Sequence, residues 1–252
     1  MRENSTSQLA ELEFTDFERC VADAVSDCRG AGRYSALSAL RHINRAYQLI
    51  EAMPELSVFS GLTAEEEAAT AVFHSLRKRK YRRAKELDLK NHRHKAGLWP
   101  LVLGIREAFV PLFETSEIHA SFIDHRLELI MNYQLEDGNS LAIQLTPPLG
   151  FISVDKGGKN KTYREEVEAI ATQRGARNMY EHIKQVSNTR NTMLYASGSK
   201  VPKSTNAINF FLQQRQVVFV HLSIYLLLEH HKKIQPLAQA GLEIFLDTLR
   251  RM

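Results

Sequence analysis

Only two cysteines, Cys20 and Cys28, occur in the 252 residues. They are too few for a disulfide framework or, unaided, for a four-ligand zinc site, and the simplest reading is a pair of core or half-buried thiols. Long hydrophobic runs are also missing. The most apolar segment, Val217 to Leu228, is interrupted by His221 and Ser223; it falls short of the roughly 20 residues that cross a bilayer and reads as a buried core helix. The first residues, Met1 to Glu13, carry Glu3, Glu11 and Glu13 and no apolar stretch, which fits neither a signal nor a transit peptide and leads to the expectation of a cytoplasmic chain. There is no internal repeat and no low-complexity tract. What is present, 44% hydrophobic and 25% charged residues, is the makeup of an ordinary globular protein able to bury a sizeable core.

The net charge of +4 is unevenly placed. Between Arg77 and Lys95 stand ten Lys or Arg residues against Glu86 and Asp88, a surplus of eight, so the remainder of the chain is net −4. Seven of these cations fall in nine residues, Arg77 to Lys85, an unfavourable crowd unless something anionic relieves it. Two readings stand: a phosphate-binding surface for nucleic acid, with Arg79, Arg82 and Arg83 at its centre, or the solvated end of a helix and its loop. Tyr81 is the single aromatic residue within it, thin support for base stacking.

Helical periodicity dominates the chain. Leu9 to Cys28 predicts a first helix, stopped by Gly30 and Gly32, and Arg33 to Ile50 a second, with Pro54 just past its end. Thr63 and Glu66 form a capping-box pattern for a third, with Glu65, Glu66 and Glu67 complementing the dipole in its first turn. Trp99 to Phe113 follows, and Phe122, Leu127, Leu129, Ile130 and Met131 suggest another helix. Leu141, Ile143 and Leu145 then alternate with polar or small residues, Pro147 to Gly150 forms a turn, and Phe151 to Val154 is again β-rich, predicting a small hairpin closed by a cationic loop at Gly157 and Gly158. A capped helix from Thr162 toward Ile183, a polar loop from Asn188 to Thr205, and two helices, about Ala207 to His230 and Pro236 to Arg250, complete the chain.

Three motifs bear on chemistry. His92 and His94 lie among cations that repel a divalent ion, and no carboxylate or cysteine nearby completes a ligand set, so neither metal nor cofactor is expected. Arg177, Asn178 and His182 place a fixed cation and a small polar residue ahead of a group that exchanges protons near neutral pH. Such a set can cleave RNA without metal, histidine moving the proton and arginine stabilising the phosphorane. Chance alone supplies that spacing about twice in a chain of this composition, and Arg215 with His221 is the second instance, inside an apolar run. Arg190, Asn191 and Tyr195 repeat the opening with tyrosine in the histidine's place; Tyr195 could donate to a phosphate, or Arg190 could pair with a carboxylate such as Glu66 while Tyr195 packs.

In order, Arg45-Ala46-Tyr47, Glu65 to Ala69, His92 with His94-Lys95, and Arg190 to Tyr195 followed by Gly198 and Pro202 resemble the HEPN superfamily, and within it the AbiV-like abortive-infection proteins of bacteria. The likeness spans roughly Arg33 to Pro202. It implies an all-α, antiparallel helical bundle, one HEPN-like domain over 1–252, and frequent homodimerisation; the β-hairpin and loop read at 133–161 are an insertion with no counterpart in a minimal HEPN bundle. It further implies an anti-phage effector or toxin acting as a metal-independent endoribonuclease on RNA or the translation machinery, with a regulatory or phage-encoded protein as a further partner. The alternative is a non-catalytic module that binds RNA, a nucleotide or a protein. On the resemblance, Arg177, Asn178 and His182 take the catalytic roles, and Arg79, Arg82, Arg83, His92, His94, Lys95, Arg190, Asn191 and Tyr195 hold substrate. No membrane partner is expected.

Overall fold

The computed structural model describes residues 12–109, 116–135, 138–150 and 206–250, with isolated positions between 154 and 188. The architecture is mostly helical. Helix α1 is Asp16–Asp27, α2 Ala31–Leu49, α3 Pro54–Lys78, α4 His92–Ala96, α5 Leu98–Phe109, α6 Ala207–Glu229 and α7 Pro236–Arg250; strands β1 Ser116–Ile123, β2 Arg126–Gln134 and β3 Ser140–Leu145 lie between α5 and α6. Among the described residues no helix is long and apolar enough to cross a membrane.

Helix α1 starts later than its periodicity predicts. Thr15 accepts from the Glu18 amide and Glu18 reaches back to Thr15, a reciprocal cap that fixes the start at Asp16. Cys28 is half-buried but Cys20 is exposed, so only one thiol fits the packing expected for both.

The core is an α2–α3 hairpin with α6 laid against it. Ala36, Ala39 and Ala46 of α2 and Ala64, Ala68 and Ala71 of α3 are all fully buried, small side chains that let the helix axes approach. Gly32, inside α2 rather than ending α1, marks the tightest point: a Cβ there would lie 2.8 Å from the Tyr225 ring of α6 and 3.3 Å from the Ala71 carbonyl of α3. Tyr225 is fully buried and has no room to retreat. Gly32→Ala is therefore expected to lower stability by about 1–2 kcal/mol in chemical denaturation, overpacking outweighing the gain in helix propensity.

Helix α3 corrects a sequence expectation. It begins at Pro54, which occupies the first turn, and not at Thr63. Thr63 sits mid-helix and its hydroxyl donates to the Phe59 carbonyl at 2.9 Å. Glu65 and Glu66 are consequently buried in the middle of a 25-residue helix instead of complementing the dipole at its start.

A second correction concerns 116–134. The segment forms two antiparallel strands, not a helix, with Ile123 opposite Arg126 across a two-residue turn. Asp124 and His125 both have positive φ, 48° and 62°, the geometry that matches the twist of a hairpin. The sheet is thus a three-stranded meander in the order β1-β2-β3, starting well before the expected boundary at 133. Strand β3 pairs back onto β2, Leu129 with Leu145 and Gln134 with Ser140. The segment 151–153 lies outside the described residues.

The sheet is tied to the helices at one end of α6. The Leu127 amide donates to His230 Nδ1 at 3.3 Å. Gln235, fully buried, accepts from the Leu149 amide, donates from its side chain to the Leu227 carbonyl and from its backbone to the Tyr81 hydroxyl. One glutamine thereby joins the turn after β3, α6 and the loop after α3.

Candidate functional site

The basic block begins where α3 ends. The chain turns sharply there, with Lys80 and Arg83 at positive φ, and Tyr81 folds inward to 4% exposure. Its ring is therefore not available to stack on a base. The anions that relieve the cation cluster belong to the chain itself. Lys78 pairs with Glu229 of α6, and Arg79, largely buried, reaches the same carboxylate and the Glu229 carbonyl. Arg82 pairs with Glu243, and Arg83 with Asp247 at 2.7 Å and Glu86 at 3.0 Å. The Arg77 guanidinium donates to the carbonyls of Ala84, Lys85 and Leu87. Lys80, Lys85, Lys90 and Arg93 are exposed and form no ion pair among the described residues, so the outward-facing cationic charge is carried by these four.

A few residues on, Asn91 accepts from the Arg93 amide and starts α4. This short helix presents His92 and Lys95, one turn apart, to the same carboxylate of α3. His92 Nδ1 lies 2.9 and 2.8 Å from the two Glu66 oxygens, and Lys95 Nζ lies 3.5 Å from Glu66 Oε2. Glu66 and Lys95 are buried while the His92 side chain is about half exposed, at 53%. A carboxylate holding Nδ1–H fixes the tautomer and makes Nε2 the proton-exchanging nitrogen. His94 points differently: its Nδ1 accepts from the Asp88 amide at 3.0 Å, and burial lowers its pKa.

Behind Glu66 the polar cluster continues into the core. Glu65 is buried, and desolvation pushes its carboxyl up to about 7, against a side-chain hydrogen bond from Gln214 of α6 and with added repulsion from Glu66. His221, seven residues along α6 from Gln214, is completely buried and held down to about 3 by desolvation, with the Glu65 backbone beside it. Among the described residues, neither of its ring nitrogens nor Gln214 Oε1 has a hydrogen-bond partner. Trp99 of α5 packs edge-on against the imidazole at 6.1 Å. The Arg215–His221 spacing is accordingly structural: Arg215 binds Glu18 of α1 through two nitrogens, and His221 faces the interior.

Arg177, Asn178, His182, Arg190, Asn191 and Tyr195 lie outside the described residues. Around them, Glu165, Ala169, Tyr180, Glu181, Ile183, Lys184 and Asn188 are helical. Ile183 is fully buried at the α4–α5 junction, where a Cβ on Gly97 would come within 3.0 Å of its Cδ1. Among the described residues no group of three or more His, Cys, Asp or Glu is placed to hold a metal ion. Gln214 and the counter-ions Glu229, Glu243 and Asp247 carry no local sequence signal, while Glu65 and His221 stand in the sequence reading in other roles, as a first-turn acid and as the partner of Arg215 in the second Arg–His spacing. Glu66 was visible beside the His-Lys segment only through the family resemblance.

No protein-family model, no curated protein and no solved structure matches this chain.

Proposed function

We propose that the chain is a metal-independent endoribonuclease whose chemistry is centred on His92, held by Glu66 beside Lys95. The observation that carries this reading is the Glu66–His92 contact at 2.8 Å: a buried carboxylate orienting a half-exposed imidazole is the arrangement of a general base. In the reaction, His92 Nε2 takes the 2′-hydroxyl proton, and the 2′-oxygen attacks phosphorus. The P–O5′ bond breaks, leaving a 2′,3′-cyclic phosphate and a protonated 5′-hydroxyl. Lys95 offsets the extra negative charge of the phosphorane, and Lys80, Lys85, Lys90 and Arg93 hold the RNA backbone. Arg177, Asn178 and His182 keep the roles given by the HEPN resemblance, with His182 as the acid that supplies the leaving oxygen. The AbiV-like motifs put this activity in an anti-phage effector that works as a homodimer.

The test is cleavage of end-labelled single-stranded RNA by the purified protein in excess EDTA. His92→Ala is expected to slow cleavage by about 10²-fold or more, Glu66→Gln to act in the same direction with less effect, and His182→Ala to match His92→Ala. Cleavage at the wild-type rate in His92→Ala rejects the assignment. The second reading, a binding module, is favoured by Lys80, Lys85, Lys90 and Arg93, exposed and without an ion pair among the described residues, which suit contact with phosphates and need no catalytic group. It predicts salt-sensitive RNA retention with no products.

A further inference from the structure

On the side of the helical core that carries the sheet, α3, α5, α6 and α7 share a concave apolar wall with β1 and β2. They leave a cavity of about 340 Å³, more than twice the ~150 Å³ that admits a benzene ring and within the ~300–1,000 Å³ of small-molecule sites. Six elements supply its wall, with Phe73 of α3, Leu101 of α5, Ile118 of β1, Leu129 of β2, Leu228 of α6 and Leu242 of α7 among the lining residues. At one edge of it α5 and α7 approach closely: a Cβ on Gly241 would stand 3.0 Å from Ile105 Cδ1. None of its lining residues belongs to the Glu66–His92 cluster.

The wall carries one charge. Arg106, in the last turn of α5, is exposed at the cavity and has no ion pair among the described residues. An apolar molecule seated in carbon-lined space of this size gains dispersion contacts with the lining and leaves water. A guanidinium at the edge, with no ion pair among the described residues, adds a donor fork suited to a carboxylate. The geometry points to a binding site for a straight-chain alkyl carboxylate on the order of twelve carbons long, scaled from the benzene cavity. The chain fills the cavity and the carboxylate rests on Arg106.

Calorimetric titration of the intact protein with octanoate, decanoate, dodecanoate and tetradecanoate, each below its micellar concentration, tests this. Affinity should tighten about fourfold per methylene and stop rising near dodecanoate, where the cavity is full. Arg106→Gln should weaken decanoate about tenfold while leaving decanol unchanged. Ala238→Leu, which fills the space, should abolish both while the circular dichroism stays helical; Val102→Phe serves the same purpose should the first variant not fold. Affinity independent of chain length, no saturable heat with dodecanoate at about 1 mM, or an equal loss of decanol and decanoate in Arg106→Gln overturns the assignment.

Discussion

Glu229→Ala should cost the fold about 3–5 kcal/mol, the price of leaving a buried cation without its partner. Glu229 ends α6 with its side chain 7% exposed, and three groups from the end of α3 converge on it: the Ser75 hydroxyl at 2.6 Å, Lys78 Nζ and the Arg79 guanidinium. Lys78 is half exposed and turns to water when the carboxylate is lost; Arg79, at 17%, cannot. Its Nε is already buried without an acceptor among the described residues, so removal of the Glu229 carboxylate leaves the buried charge with only the backbone carbonyl of residue 229 to accept from it. Glu243→Ala is the internal comparison. It breaks the Arg82 pair, in which Arg82 is 73% exposed, and should cost under about 1 kcal/mol. Denaturant midpoints measured on both variants decide the point, and equal small losses would mean that the Arg79 site is open to water. In the double variant Arg79→Ala/Glu229→Ala the loss should fall well below the sum of the singles, since neither charge is then stranded.

That result governs how RNA binding is probed. Charge reversal at Arg79 would unfold the end of α3 and abolish binding for reasons unrelated to phosphate. Replacement of Lys80, Lys85, Lys90 and Arg93 by glutamine leaves the ion-pair network intact. If these four meet phosphates, the slope of log affinity against log salt should fall by about 3, at roughly 0.7 per contact for a single strand.

The parts of the fold that were legible from sequence are those with strong local punctuation. Asn206 before Ala207 and Pro236 at the first turn set the starts of α6 and α7 where periodicity puts them. Where two local signals competed, the sequence misled. Pro54 after α2 serves equally as a stop and as the first turn of α3, and a satisfied capping pattern at Thr63 favoured the wrong choice, sending Glu65 and Glu66 to the surface. At 116–134 the hairpin turn is Asp124-His125 without glycine, so the positive φ that defines it had no marker. The alternation of Leu127, Leu129 and Met131 was present but read as part of a helix. The counter-ions of the basic block could not be read locally at all: Glu229, Glu243 and Asp247 stand about 150 to 164 residues from the cations they pair with. Only the packing of α6 and α7 against the end of α3 joins them.

The buried pair behind the site makes the second large prediction, one of pH. Glu65 has its carboxyl raised from 4.5 to about 7, so the folded state holds a proton that the unfolded state releases. Stability therefore falls as pH rises through that interval, at up to about 1.4 kcal/mol per pH unit. His221 works in the opposite sense: lowered from 6.5 to about 3, it stays neutral in the fold while the unfolded chain takes up a proton, and stability falls as pH drops below 6.5. From 4.5 to 6.5 the two slopes cancel. Glu65→Gln keeps the shape and a donor–acceptor partner for Gln214 but removes one slope. Relative to wild type it should show no gain below pH 4.5 and a gain that grows to about 3 kcal/mol above pH 7, less any mismatch with Gln214. His221→Asn should show the mirror image, its relative gain largest at low pH. Parallel stability profiles for Glu65→Gln and wild type from pH 4 to 8 would show that Glu65 titrates normally. The same titration bears on His92. Below pH 7 Glu65 is neutral, and Glu66 faces His92 and Lys95 without a second buried negative charge at its side. Above it, repulsion between adjacent carboxylates loads the helix turn that positions the histidine.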